Sequence, residues 1–253
     1  MQGVTHRAGG VTACLAGYSL LVYSGSPLVA AAPVASLACL YPFAVWGATA
    51  SDLDHAPGGL WDELKPIGQR SGQSLPSQDV VSRAISHVLH ATKPLRGVFP
   101  KGSRAAQLVS VLDCKHRSWQ THSELPLAVI LYFLSKLDPT TGNLSSALTQ
   151  LILMGIGFGL VAHLILDLLT PEGLPFATGL FMNKFILRKH VLPERIKIIP
   201  HVPPTQKGKP GFFSTGGTWE TKIVFNALHA INIVLLIMTV AKLAGFALPS
   251  LVV

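Results

Sequence analysis

From Ile223 to Ala241 the chain runs through "IVFNALHAINIVLLIMTVA" without a single Asp, Glu, Lys or Arg. A stretch of that length and polarity constrains the fold more than any other feature. In hydrocarbon every backbone N–H and C=O must be satisfied internally, which leaves helices or closed barrels. A helical span needs roughly 20 apolar residues. Four further apolar segments occur, at 11–23, 27–50, 125–137 and 144–169, alongside the last at 223–248. Charged residues make up 13% of the 253, against about 25% in soluble domains. The expectation is an all-α fold: a polytopic α-helical membrane protein with about five membrane segments. Segments 11–23 and 125–137 are short for a full crossing and are expected to tilt, stay partly buried or re-enter.

Charge placement gives the orientation. Arg7 precedes the first segment, nine basic residues fall in 51–124 and eight in 170–222, so that 18 of the 20 Lys and Arg lie on one side if all five segments cross. The positive-inside rule makes that side cytoplasmic, with the N-terminus inside an inner (cytoplasmic) membrane. The net charge of +8 is then a matter of topology and anionic lipid rather than nucleic acid, because no compact basic motif with interleaved aromatics is present. The three cysteines are widely spaced and form no CxxC, so neither a disulfide framework nor a thiolate metal site is expected. The N-terminal "MQGVTHRAGG" makes a poor cleavable signal and is expected to be retained. One membrane-embedded domain over 1–253 is expected, with a polar insertion at about 56–114 and a polar loop at about 170–222. Within the insertion, "SQDVVSRAISHVLHATKPL" reads as an amphipathic helix stopped by Pro94.

Nearly all candidate ligands fall in five clusters, each at the cytoplasmic end of an apolar segment. His163 and Asp167 are one turn apart on one helix face. Embedded in Leu, Ile and Ala, they either bind a divalent metal or form a His–Asp bond that pins two helices. "SDLDH" holds Asp52, Asp54 and His55, hard-to-borderline ligands suited to zinc, manganese, magnesium or iron; a solvated helix end is the plainer alternative, which the helix dipole disfavours. "KHRSWQTHS" offers His116 and His122 as ligands, Arg117 as an anion fork, and Thr121 and Ser123 as caps or ligand partners. His6, between Thr5 and Gly9-Gly10, carries little weight alone. In "TGGTWE", Trp219 reads as an interfacial anchor and Glu220 as either turn residue or site carboxylate. His87, His90, His190 and His201 read as surface or interface residues, and His229 as a helix–helix hydrogen bond.

These clusters, in this order, resemble the YdjM-like family of inner-membrane proteins, taken to be metal-dependent hydrolases. The matching residues are Thr5-His6, Asp52-x-Asp54-His55, His116-Arg117 with Thr121-His122-Ser123, and His163-x-x-x-Asp167 running into Thr170-Pro171-x-Gly173. That family is distantly similar to zinc-dependent phospholipase C, a helical phosphodiesterase with several metals. Ser51 and Ser118 stand where the family commonly has Pro and Gly, which leaves loop geometry and substrate open.

The resemblance and the clusters together imply a membrane-bound metal-dependent hydrolase with one to three divalent metals, zinc first among them. The ligand set is His6, Asp52, Asp54, His55, His116, His122, His163 and Asp167. Asp52 or Asp54 serves as general base toward a metal-activated water, and Arg117 steadies an anionic group. A membrane lipid or other amphiphilic phosphoester fits a site at headgroup depth. Two other readings differ in kind. A transporter or ion carrier needs ligands spread through the bundle's depth, and a membrane-anchored interaction protein needs no chemistry at His163 and Asp167.

Overall fold

The computed structural model describes residues 3–50, 97–100, 103–106, 109, 119–137, 143–170, 174–187, 189, 191–193, 195–196 and 219–246. Its chain divides into two compact units, Met1–Thr49 with Leu127–Leu174 and Ile196–Val253, and Ala50–Pro126 with Pro175–Arg195. The helices, in chain order, are α1 (Gly3–Tyr23), α2 (Pro27–Ala30), α3 (Pro33–Ala50), α4 (Trp119–His122), α5 (Glu124–Lys136), α6 (Leu144–Leu168), α7 (Ala177–Phe181) and α8 (Phe225–Leu243). Two π-helical turns, Met182–Leu187 and Trp219–Val224, continue α7 and precede α8. The two-residue strands β1 (Leu174–Pro175) and β2 (Arg195–Ile196) pair as one small sheet.

Three helical stretches among the described residues are long and apolar enough to cross a membrane: Pro33–Ala50, Leu144–Leu168 and Lys222–Leu243. The last leaves Ile231, Ile233, Val234, Leu236, Ile237 and Val240 exposed. In water such a face would be an association liability; in lipid it is matched to its solvent. Two of the sequence expectations change in detail. The segment expected at 11–23 begins eight residues earlier, because "GVTHRAGG" joins the helix; at 1.5 Å per residue α1 is about 32 Å long. The single segment expected at 27–50 is two helices. Pro33 opens α3, where its missing N–H is harmless, and the chain breaks just before it. Tyr18, fully buried in α1, donates its hydroxyl to the Pro33 carbonyl at 2.7 Å and holds the break in place.

α1 packs against both α6 and α8. It runs parallel to α8: Ser19 and Thr239 share a buried hydroxyl contact of 2.6 Å, Lys242 sits over the Tyr23 ring, and the turn Trp219–Val224 reaches α1. Both helices end in the same way. Gly25 (φ 68) and Gly245 (φ 84) adopt the left-handed conformation that glycine takes without strain. Ser26 N–H bonds Leu21 O and Gly25 N–H bonds Val22 O; Phe246 and Gly245 repeat the pattern on Ala241 and Lys242.

The first unit is drawn tight by small residues. A Cβ on Gly155 would strike the Leu40 carbonyl, one on Gly159 the Ala44 carbonyl and Ala48 N, and one on Gly47 the Ile156 carbonyl. Gly155 and Gly159 are four apart, so the "GIGFG" of α6 makes one groove along which α3 lies backbone to backbone, a small-residue seam of the kind membrane helices use. Gly10 brings α1 against Ala44 and Ala48 in the same way, and Gly9 brings it against Leu166. Cys14, Tyr18, Val29, Leu40, Ala44 and Leu151 fill the core between.

In the second unit Glu124, at the first turn of α5, reaches α7. Its carboxylate accepts the Ala177 N–H at 3.1 Å, the Thr178 N–H at 2.7 Å and the Thr178 hydroxyl at 2.7 Å. Partial burial pushes this carboxyl up, but the bonds from Thr178 and Ala177, with one from its own backbone, outweigh it, and the net direction is down.

Two outcomes follow from this packing. Gly159→Ala is expected to lower stability by about 1–3 kcal/mol, the range for forced overpacking, read as a drop in the thermal midpoint of detergent-solubilised protein. Because the folded Glu124 carboxyl lies below its unfolded value, its contribution is present above the unfolded value and disappears as pH falls through the folded one. Glu124→Gln is therefore expected to flatten the acid side of the stability profile.

Candidate metal centre

α6 delivers two ionisable side chains to its last turns. His163 is fully buried and Asp167 is 1% exposed. His163 Nε2 lies 3.2 Å from Asp167 Oδ2, the i,i+4 contact that the sequence spacing anticipates. The other ring nitrogen, Nδ1, lies 2.6 Å from the carbonyl oxygen of Ala48. A carbonyl can only accept, so Nδ1 carries the hydrogen. Ala48 sits in the last described turn of α3. The α3–α6 seam brings that carbonyl within reach.

The tautomer decides the chemistry. With Nδ1 protonated, a neutral imidazole presents a lone pair at Nε2. Facing it is a carboxylate oxygen, also an acceptor. Two acceptors at 3.2 Å in a buried site repel unless a proton or a cation lies between them. His6, 1% exposed on α1, adds a third group: its Nε2 is 3.7 Å from Asp167 Oδ1, and its ring stacks on that of His163 with centroids 3.9 Å apart and planes 16° from parallel. One divalent cation could be held by all three groups at once.

Distances agree with that reading. One donor atom from each of His6, His163 and Asp167 lies within 4.8 Å of the others. In a tetrahedral zinc site with bonds near 2.0–2.1 Å, donor atoms stand about 3.3 Å apart. The contacts of 3.2 and 3.7 Å bracket that value. Two imidazoles and a carboxylate suit zinc and other borderline divalent ions. The pattern of a ligating imidazole whose second nitrogen donates to a backbone carbonyl is the usual outer support of such sites. Asp167 has a fixed backbone as well: its carbonyl accepts both the N–H and the hydroxyl of Thr170, at 2.9 and 2.7 Å.

The structure thus brings together three of the sequence candidates, His6, His163 and Asp167. His122 is 1% exposed in the second unit, with Nδ1 3.0 Å from Thr121 Oγ1. Ser123 accepts the Leu125 N–H at 3.2 Å and caps α5, the role its position suggests. Asp52, Asp54, His55, His116 and Arg117, and the amphipathic helix expected at 77–95, lie outside the described residues. His229 differs from expectation: it bonds Phe225 O of its own helix at 2.9 Å and packs on the Phe225 ring, rather than joining two helices. Glu220 is 1% exposed on the π turn that packs against α1, so it is no solvated turn residue. Sequence reasoning missed the Ala48 carbonyl, a backbone group with no signature, and the part that Gly9 and Gly10 play in carrying α1, and His6 with it, to α6.

The YdjM inner membrane protein family model matches residues 1–245, and the chain belongs to that family. No match was found among curated proteins or among solved structures.

Asp167→Asn separates the two ways of satisfying the site. The amide can donate to the Nε2 lone pair, which a carboxylate cannot. In the presence of a chelator the variant is expected to be at least as stable as the native protein, by thermal unfolding. Zinc is expected to raise the midpoint of the native protein and leave that of the variant unmoved.

Proposed function

We propose that this member of the YdjM family is a membrane-bound metal-dependent hydrolase acting on a phosphoester of a lipid or other amphiphile. One observation carries the proposal: a buried imidazole whose tautomer is fixed by the Ala48 carbonyl aims its remaining lone pair at a buried carboxylate, with a second imidazole beside them. Such an arrangement is stable with a cation in place. Zinc is the first candidate. Three protein donors leave a coordination position for water or substrate, the mark of catalytic rather than structural sites.

When bound, a divalent cation would supply Lewis acidity and lower the pKa of a water toward about 7. The chain's own residues do the rest. His6, His163 and Asp167 hold the cation, and Ala48 and Thr170 keep His163 and Asp167 in register. By their place in the sequence, Asp52, Asp54, His55, His116 and His122 would be the further ligands of a centre of up to three metals, and Asp52 or Asp54 would serve as general base toward water. Arg117 holds the anionic group of the substrate in a bidentate fork. Five membrane segments with a cytoplasmic N-terminus put this centre on the cytoplasmic side, at headgroup depth, and the remote likeness to zinc-dependent phospholipase C favours a phosphoester. The grouping of the trio near the start of α1 and the ends of α3 and α6, rather than along the helices, favours a mouth over an ion pathway.

Elemental analysis of the purified protein is expected to find bound zinc or another divalent metal, and the His163→Ala, Asp167→Ala double variant is expected to lose it. The loss in affinity should exceed the roughly 10–100-fold that follows from disturbing an outer-shell partner. Hydrolysis of lipid phosphoesters should vanish with chelator and return with metal. Full metal content in the double variant would sink the centre; normal metal in the native protein with no hydrolysis of any lipid phosphoester would sink the activity.

A further inference from the structure

We infer that the segment 182–196, all but Ile196 of which lies in the second unit, is a membrane-surface contact that seats on an anionic lipid leaflet. Its backbone is pinned from inside by Asn183, which is 2% exposed. The Asn183 Oδ1 accepts the N–H groups of Val191 and Leu192 at 3.0 and 2.9 Å, and its Nδ2 donates to the Leu192 carbonyl at 2.8 Å. Gly179 lies so close to the Pro193 carbonyl that a Cβ there would collide with it. Strand β1, which precedes α7, pairs with β2 at the C-terminal end of the stretch. This is a built loop, and it holds its apolar side chains outward: Ile186 is 67% exposed and Val191 65%, with Leu187 and Ile196 exposed beside them.

Charge says what covers them. From Lys184 to Lys197 the sequence has five basic residues (Lys184, Arg188, Lys189, Arg195 and Lys197) and one acid, Glu194. Lys189 and Arg195 are exposed. Branched aliphatic tips set among cations are the chemistry of insertion at the boundary between headgroups and acyl chains. Nucleic acid would share the cations but gains nothing from Ile186 and Val191, which offer no ring for a base to stack on. A chain of an inner membrane family has an anionic leaflet within reach at all times. Fixing the loop beforehand lowers the entropy lost on docking. The inference stands apart from the metal centre.

The test is backbone hydrogen exchange across 182–196 in the full chain, reconstituted in nanodiscs of phosphatidylcholine alone or mixed with phosphatidylglycerol. Exchange is expected to be slower in the mixed discs. Lys189→Gln is expected to cut that lipid-dependent slowing by about fivefold, the share of one surface cation, and Lys189→Arg to keep it. The Ile186→Ser, Val191→Ser double variant is expected to lose it while α6 exchanges as in the native protein. Equal exchange of the native loop in both disc types would overturn the inference. So would slowing that appears only when a single-stranded oligonucleotide or an acidic soluble protein is added.

Discussion

The hydrogen bond from His163 Nδ1 to the Ala48 carbonyl is the contact on which the rest of the first unit turns. At 2.6 Å and fully buried, it joins the last turn of α3 to the last turns of α6. It can form only where two helix backbones nearly touch, which Gly47 and Gly159 permit. It also fixes which nitrogen of His163 faces Asp167. Packing and chemistry are therefore one arrangement here: widening the seam would loosen the helices and release the tautomer together.

The surroundings raise the stakes. Ionisable groups inside a membrane protein cost several kcal/mol unless paired or bound. His6, His163 and Asp167 are each 1% exposed or less. The cost is confined to one end of α1, α3 and α6. Toward the other end α1 meets α8, α3 and α6 through groups that need no ion: the Ser19–Thr239 hydroxyl pair, the Tyr18 bond to Pro33, and the apolar cluster around Leu40 and Leu151. Each hydroxyl of the pair also lies within bonding distance of a carbonyl of its own helix, Leu15 or Leu235; one donates to that carbonyl and the other across the pair, which keeps their polarity hidden from lipid.

Much of this was legible in the sequence, for identifiable reasons. Hydrophobic length is a direct consequence of bilayer thickness, so α3, α6 and α8 stood out. The spacing of His163 and Asp167 maps to one helix face by geometry alone. What stayed hidden depends on partners the chain does not spell out. The apolar run of the first segment begins at Val11, but α1 begins at Gly3: of "THRAGG" only Arg7 is exposed, and Gly9 and Gly10 lie against α6 and α3, so the helix can carry Thr5 and His6 inward. The break before Pro33 is held by Tyr18 of another helix, which the apolar run 27–50 does not spell out. His6 looked weak because its value comes from α6, more than 150 residues away, and the Ala48 carbonyl has no side chain to mark it. His229 erred the other way: an intramembrane histidine suggests a neighbouring helix, yet the i−4 carbonyl of its own helix was nearer.

The same geometry bears on how the proposed centre would be assembled. Ala48, whose carbonyl orients His163, comes from α3, and the close α3–α6 seam is what brings it there. His6 and Asp167 come from distant parts of the chain, and their approach requires α1 to be seated first against both helices. A cation held between them would bind the packed state and not the open one, and so would add its binding free energy to the packing. On this account the glycines of "HRAGG" and "GIGFG" are as much a part of the centre as the imidazoles. They set the helix spacing, and the spacing sets whether a carboxylate and two ring nitrogens stand at the separation a single ion can span.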